Sequence, residues 1–372
     1  MDFKLTEEQQ MLQETAERLV RDVYDFDSRN KFSESEAGFS TAFWQQMGEL
    51  GLTAIPFAEE LGGFGGSGIE TMLIMEQLGR GICLEPYMES VILAGGLIAQ
   101  LGSDAQQEAL MGEIASGQLQ AAVALDELNS HYDLANVTTT AKQDGSEWSL
   151  SGRKGVVIGG QTAGKILVSA RTSGEGISLF LVDPTDAGVS RRVYATMDGR
   201  KACELFLDNA KGELLGEAGK AYDAIRYQSG RAIAALCAEA VGAMRTACDL
   251  TLEYLKTRKQ FGVPIGKFQV LQHRMVDMIS ELERATSMAT LAACLADDED
   301  SAERSAKLAA AKFIVNRAAR SVAEESIQLH GGIAMTWEYN GAHYAKRLVM
   351  ISHQFGDDDH HLEAYAAQLT GA

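Results

Sequence analysis

Arg258, Lys259 and Gln260 close one long helical pattern, and Gly262 and Pro264 interrupt it before a second pattern starts beyond Gly266. A cation suits the C-terminal end of a helix dipole. Downstream, Val270, Leu271, Met275, Met278 and Ile279 recur at helical spacing. The segment is either a helix–loop–helix corner of an α-bundle or a fixed, polar-tipped corner that reaches a ligand or a neighbouring subunit. Near the C-terminus, Asp357, Asp358, Asp359, His360 and His361 are the residue types of a general base or a metal site. Adjacent residues cannot all face one point, so a helix cap by Asp358 or Asp359 with solvated histidines is expected. Glu239, in mid-helix three residues before Gly242, reads as an interhelix or subunit contact. Arg231 reads as a salt-bridge partner, with a ligand phosphate as the sharper option. Leu61-Gly62-Gly63-Phe64-Gly65-Gly66 lacks the Lys-Ser/Thr ending and the preceding β-run of a phosphate loop, and reads as a plain turn.

Arg258-Lys259-Gln260-Phe261-Gly262, followed by Pro264-Ile265-Gly266 and Phe268-Gln269, resembles the signature corner of acyl-CoA dehydrogenases. Gln328-Leu329-His330-Gly331-Gly332 resembles the second signature of that family, in matching order and separation. The resemblance covers essentially the whole chain. It implies that Arg258, Gln260, Phe261, Gln269, Gln328, Gly331 and Gly332 contact an FAD held by an adjacent subunit. Arginine meets pyrophosphate as a charge-assisted fork, and glycines allow close backbone approach. The resemblance also implies an acyl-CoA thioester substrate, loss of its α-proton to a carboxylate and of its β-hydride to the flavin, and electron-transfer flavoprotein as a redox partner.

Measured against that family, several positions differ. The family places its catalytic Glu in one of two positions, which fall here on Phe355 and Ala232, so the catalytic acid is unknown. The family's Thr-Glu-Pro-x-Ala-Gly-Ser-Asp segment corresponds to residues 126–133, where only Glu127 and Asp133 match. Ser130 and backbone groups are what remains there to hold a flavin. In the following element Val156 replaces a Trp and Ile158 replaces a Thr, which removes a stacking ring and a hydrogen bond. The losses fall on the subunit's own cleft, and the preserved motifs face a neighbour. The resemblance is therefore to the small, β-type subunit of α2β2 heterotetramers, of the pimeloyl-CoA dehydrogenase small-subunit type and its relatives acting on bulky or steroid side chains. A homologous α-type subunit is the implied partner. A self-sufficient homotetramer with a base relocated to Asp357 or Glu239 is one alternative, and a catalytically silent scaffold is another. An acyl-CoA oxidase is not expected, because that branch carries a further C-terminal helical domain.

The elements that must position these residues follow from periodicity. Thr6-Glu7-Glu8-Gln9 is a capping box ahead of an apolar stripe. Helices are expected at 40–50, 69–78, 86–101 and 103–116. Seven short strands are expected at 121–125, 137–142, 148–152, 165–170, 177–182, 189–194 and 202–207, with turns at Asp144-Gly145, Ser173-Gly174, Asp183-Pro184 and Asp198-Gly199. Helices return at 222–258, 267–295, 301–329, 337–353 and 359–369. The fold class is α+β, mainly α: an N-terminal helical domain (1–117), a middle antiparallel β-barrel (118–216) and a C-terminal four-helix bundle (217–372), the three-part order that the family resemblance implies. The pattern alone supports an α, β, α order in which the two helical parts are free to pack together.

Composition narrows the class. A formal net charge of −19 argues against nucleic acid and anionic membrane as partners, without excluding an anionic CoA in a local basic pocket. The five cysteines have neither zinc-site nor disulfide-framework spacing, so a reducing, cytoplasmic compartment is the expectation. No run approaches the ~18 apolar residues of a membrane span, and the first ten residues lack a signal-peptide pattern.

Overall fold

The computed structural model describes residues 4–172, 174 and 176–370. Ser173, half of one expected turn, lies outside them. The chain forms two compact units. One comprises Met1–Arg29, Gly68–Cys83 and Ile233–Ala372, and the other comprises Asn30–Ser67 and Leu84–Ala232.

In the first unit, α1 (Glu7–Val23) starts at Thr6, whose hydroxyl accepts the Gln9 amide while Gln9 reaches back to Thr6, the expected capping box. A helix that periodicity did not announce follows as α2 (Phe26–Glu34), and beyond it α3 (Thr41–Glu49), part of the second unit, begins at the expected Ser40 cap. In α4 (Gly68–Arg80) the first amide donates to Asp297 Oδ2 at 2.6 Å, so one residue of the acidic run 297–300 is a helix cap rather than solvated surface. The long α7 (Tyr222–Thr257) meets α4 backbone to backbone. A Cβ on Gly79 would lie 2.1 Å from the Glu239 carbonyl oxygen, and one on Gly242 would lie 1.9 Å from that of Glu76. Only glycine permits this approach at both crossing points.

After α7 the chain does not simply turn a corner. Strands β8 (Lys259–Gln260) and β9 (Val263–Pro264), numbered after the seven of the second unit, pair antiparallel, and a 3₁₀ turn leads into α8 (Gln269–Leu295). The central helix α9 (Ala302–His330) packs against α8, α10 (Asn340–Ile351) and α11 (Asp358–Thr370). Ala234, Ala292, Ala296 and Ala311 cluster around Leu308, small residues that let the helices approach closely. The expected start of α10 at Trp337 moves to Asn340, because Gly331–Met335 forms a 3₁₀ turn first.

The second unit joins helices to a seven-stranded sheet. The segment Met88–Gly95 is a π-helix leading into α5 (Gly96–Leu101), a departure from the single α-helix expected over 86–101, and α6 (Asp104–Ala115) starts at a Ser103 capping box. The strands are β1 (Ala121–Ala124), β2 (Thr140–Asp144), β3 (Glu147–Ile158), β4 (Lys165–Arg171), β5 (Ile177–Val182), β6 (Val189–Ala195) and β7 (Lys201–Leu215). β3 and β7 run well past their expected ends because they pair along most of their length, with register shifts between 150 and 152 and between 154 and 157. The pairings form a circuit, β4–β2–β3–β7–β5–β4. Most are antiparallel as expected, but β1 and β2 each meet β4 in parallel. Leu150, Phe180, Val182 and Leu205 are fully buried inside, each contributing on the order of 2 kcal/mol. Gly63 of the glycine-rich turn has a packing reason: a Cβ there would lie 2.0 Å from the Phe57 carbonyl oxygen.

Candidate functional site

The corner at Arg258 is a two-residue hairpin. Gln260 pairs with Val263, and the loop residues Phe261 and Gly262 have φ of +54° and +82°. Positive φ at both positions is the type I′ geometry that suits hairpins. The Ile265 amide donates to the Arg258 carbonyl at 2.8 Å, and the Arg258 amide to that of Tyr254 at 2.8 Å, so the hairpin is fastened to the last turn of α7. A Cβ on Gly266 would lie 2.8 Å from the Leu255 carbonyl oxygen, which keeps the return strand against α7. Phe261 sits at the tip and is 90% exposed. Among the described residues, the side chains of Arg258, Gln260 and Gln269 make no hydrogen bond or ion pair, and all three are exposed. This is a hydrogen-bonded backbone carrying unengaged polar groups and one aromatic ring.

The second motif ends α9. Gln328 is exposed and likewise unengaged among the described residues. Gly331 closes the helix with φ +66°. Gly332 lacks positive φ, and a Cβ on it or on Gly331 would meet nothing within 4 Å. The fold itself therefore gives no steric reason for glycine at 332. The two motifs are brought together by an aromatic contact that the sequence reading missed: the rings of Tyr254 and His330 lie 4.6 Å apart. Tyr254 stands one helical turn before Arg258, which is the spacing signal that could have found it.

The expected acid positions hold no acid. Ala232 is buried. Phe355 is half-buried in the connection before α11, with φ +55°. Asp357, not Asp358 or Asp359, caps α11: its Oδ1 accepts the His360 amide at 3.0 Å and its carbonyl the His361 amide at 3.1 Å. A cap precedes the first helical residue, and the helix starts one residue earlier than expected. The histidines are not both solvated either. His361 is buried, its Nε2 has no partner, and burial with the nearby Lys312 cation pulls its pKa to about 3. Glu239 is an interhelix contact, held by Arg347 of α10 through bonds of 2.6 and 2.7 Å. Lys312, fully buried and held by burial to a pKa of about 8, donates to Asn316 Oδ1 at 2.8 Å and to the Ile351 carbonyl at 2.6 Å, capping the end of α10. No group of three or more His, Cys, Asp or Glu residues suited to a metal occurs among the described residues.

In the second unit, Glu127 and Lys154 form a buried pair at 2.7 Å, with Lys154 also bound to Ser169 Oγ at 2.9 Å. Burial opposes the Glu127 charge, but Lys154, the Thr138 hydroxyl and the Thr139 amide outweigh it and hold the pKa to about 2. Ser130 is turned inward and donates to the Glu127 carbonyl at 2.9 Å. Both residues that could have served a ligand thus serve the loop 126–139. Val156 is 52% exposed at the β3 bulge with φ +50°, a conformation that a β-branched residue rarely adopts. Ile158 is half-buried on the same strand. The Tyr194 hydroxyl reaches the Val156 backbone from the neighbouring strands.

Three family models cover the chain in order: the N-terminal domain of acyl-CoA dehydrogenases matches residues 6–118, the middle domain 122–210 and the C-terminal domain 226–370. The probable acyl-CoA dehydrogenase YngJ of Bacillus subtilis is 31% identical over 91% of this chain and 92% of its own length. The human mitochondrial short-chain specific acyl-CoA dehydrogenase is 29% identical over 92% and 90%. Among solved structures, a variant of the Tcur3481–Tcur3483 steroid ACAD matches with a TM-score of 0.90 and 29% identity over 98% of both chains. The ChsE4–ChsE5 complex from Mycobacterium tuberculosis matches with a TM-score of 0.90 and 26% identity over 100% of both.

Proposed function

This chain belongs to the acyl-CoA dehydrogenase family, FAD-dependent oxidoreductases of acyl-CoA thioesters, and from that premise we propose that it is the β-type subunit of an α2β2 enzyme. In this reading a homologous α-type subunit provides the carboxylate base and most of the flavin pocket. The present chain provides the Arg258–Phe261 hairpin and the Gln328–Gly332 turn. FAD, when bound, accepts the β-hydride of the thioester. Arg258 is free to pair with its pyrophosphate, Phe261 to cover a ring, Gln260, Gln269 and Gln328 to hydrogen-bond, and Gly331 and Gly332 to admit close approach.

One observation carries the proposal. The outward polar groups are exposed, mounted on a hydrogen-bonded hairpin and a helix end, and unengaged among the described residues, with a glycine at 332 that the fold does not need. The positions that should serve an internal site, Phe355, Ala232, Val156 and Ser130, hold no acid, no stacking ring and no free hydroxyl. Asp357 and Glu239, the candidate relocated bases, are committed to a helix cap and to Arg347, which speaks against a self-sufficient homotetramer. The steroid ACAD and the ChsE4–ChsE5 complex are each named as a pair of chains, which supports a heteromer acting on a bulky acyl group. Electron-transfer flavoprotein as acceptor and a cytoplasmic location belong to the same proposal. It also takes the strand circuit as the family's barrel and the C-terminal helices as its bundle.

The test is the flavin-to-polypeptide ratio of the purified chain, produced alone and together with the product of an adjacent gene. Alone it should be colourless or poorly folded, and together the pair should be yellow and active. A homo-oligomer that is yellow and active by itself would end the proposal.

A further inference from the structure

The loop that follows the Gly331–Gly332 turn is pinned from beneath by two buried imidazoles. His330 lies between the rings of Tyr254 and Tyr339, at 4.6 and 4.9 Å. Its Nδ1 is 2.7 Å from the Ser326 carbonyl oxygen, which can only accept, so the hydrogen-bond network assigns the ring hydrogen to Nδ1. Nε2 then accepts, and the Tyr339 hydroxyl donates to it at 2.5 Å, with the Leu250 backbone a further hydrogen-bonding neighbour of the ring. His343 on α10 holds the other tautomer. Its Nε2 is 2.9 Å from the Trp337 carbonyl oxygen and therefore donates. The His343 ring meets Trp337 and Phe26 edge-on at 4.7 and 4.8 Å, and the Lys346 ammonium sits 3.9 Å over the Trp337 ring. Burial lowers the pKa of both imidazoles, helped at His343 by the cations of Arg29 and Lys346. Between these fastenings the chain exposes Ile333, Met335 and Trp337, with Met335 77% accessible.

We propose that His330 and His343 are positioning residues that preset the Gly331–Tyr339 loop, so that Gly331 and Gly332 meet FAD beside the α9 residue Gln328 without a loop to order first. The proposal rests on the reading of those three residues as flavin contacts. A preset loop saves the ordering entropy that a mobile one would lose on binding.

The experiment uses the assembled flavoprotein, this chain with its partner subunit, and reads FAD affinity, the position of the flavin absorption band and the thermal midpoint. Tyr339→Phe deletes one hydroxyl and keeps the ring. His330→Asn keeps a donor where Nδ1 stands but loses the acceptor, and His330→Gln carries an acceptor to where Nε2 stands. His343→Ala frees the Trp337 carbonyl. Tyr339→Phe, His330→Asn and His343→Ala should each weaken FAD binding by about three- to tenfold and shift the band, as loss of one hydrogen bond does. His330→Gln should recover most of the affinity. Unchanged affinity and band in the three weakening variants overturn the proposal. So does an equal loss in Asn and Gln with a lowered midpoint and an unshifted band, the pattern of a merely structural histidine. Gln328→Ala, at one of those three contacts, separates the two readings. If it leaves FAD binding intact, the flavin-contact reading falls and this inference with it. If it loses FAD while the histidine and Tyr339 variants bind normally, only the inference falls. A wild-type assembly that binds no FAD removes both.

Discussion

Glu239 and Arg347 are both buried, and two short bonds join them across α7 and α10. A buried pair draws little net stability, but removing one partner strands the other charge at a cost of about 3–5 kcal/mol. Glu239→Gln should therefore lower the unfolding free energy by several kcal/mol in urea titration. Glu239→Leu with Arg347→Met should recover most of that loss. If the double replacement stays as unstable as the single one, the pair is not the reason Glu239 is there. His361 gives the pH counterpart. Its pKa falls from about 6.5 in the unfolded chain to about 3 in the fold, so the unfolded state binds the extra proton. Its contribution is complete above about pH 6.5 and is lost as pH falls toward 3, at about 1.4 kcal/mol per unit. Wild type should lose about 2 kcal/mol more than His361→Asn between pH 6.5 and 5, measured as a difference in urea midpoints. Parallel curves for the two proteins would show that His361 is not the group responsible. Glu239 was legible as an interhelix or subunit contact, but its Arg347 partner and the burial of His361 were not. Residue types announced that Glu239 and the acidic–histidine run could do chemistry, but partners about 108 positions apart in the chain, as for Glu239 and Arg347, are set by tertiary packing and leave no local pattern.

At the scale of the element, the two-residue turn at Phe261–Gly262 sets local propensity against exposure. A type I′ turn favours Asn-Gly or Asp-Gly, since both loop residues need positive φ. Phenylalanine is a poor choice for that conformation, and here its ring is almost wholly in solvent with an edge-on contact to Phe268 at 6.2 Å, so neither the turn nor the core explains it. Phe261→Asn should leave the thermal midpoint of the flavin-free assembly unchanged or slightly raised, while the assembly loses FAD affinity. A variant that binds FAD as wild type does would show that the ring has no external partner. Element type and order were largely readable: the seven strands and the long C-terminal helices fall where period-2 and helical patterns place them. The misses have physical causes. The hairpin at 259–264 was hidden because two-residue strands carry no periodicity. α2 was hidden because its polar sequence lacks an apolar stripe. The parallel meetings at β4 arise from how distant strands pair, which alternation along one strand does not encode. At the site, punctuation marked the corner at 258–266 and the family resemblance marked the turn at 328–332, whereas the Tyr254–His330 stack that joins them belongs to packing between helices.

At the scale of the whole molecule, the division of labour proposed here has a stoichiometric consequence. A homotetrameric dehydrogenase with four competent clefts binds about one flavin per chain. If this chain contributes only outward-facing contacts, each flavin needs one partner cleft and one hairpin, and the assembly should hold about one FAD per two chains, since the cofactor must be both held and covered for hydride transfer. The ratio follows from absorbance of released flavin against polypeptide quantified by amino-acid analysis. Mutations should also act asymmetrically. Arg258→Ala in this chain should reduce bound FAD, because Arg258 is unengaged by its own fold. Val156→Ala should leave FAD content untouched even though Val156 is exposed on the sheet. A ratio near one flavin per chain, or loss of flavin on changing Val156, would mean that the sheet of this subunit holds a cofactor of its own. The altered β3 bulge would then be a different flavin pocket rather than a lost one.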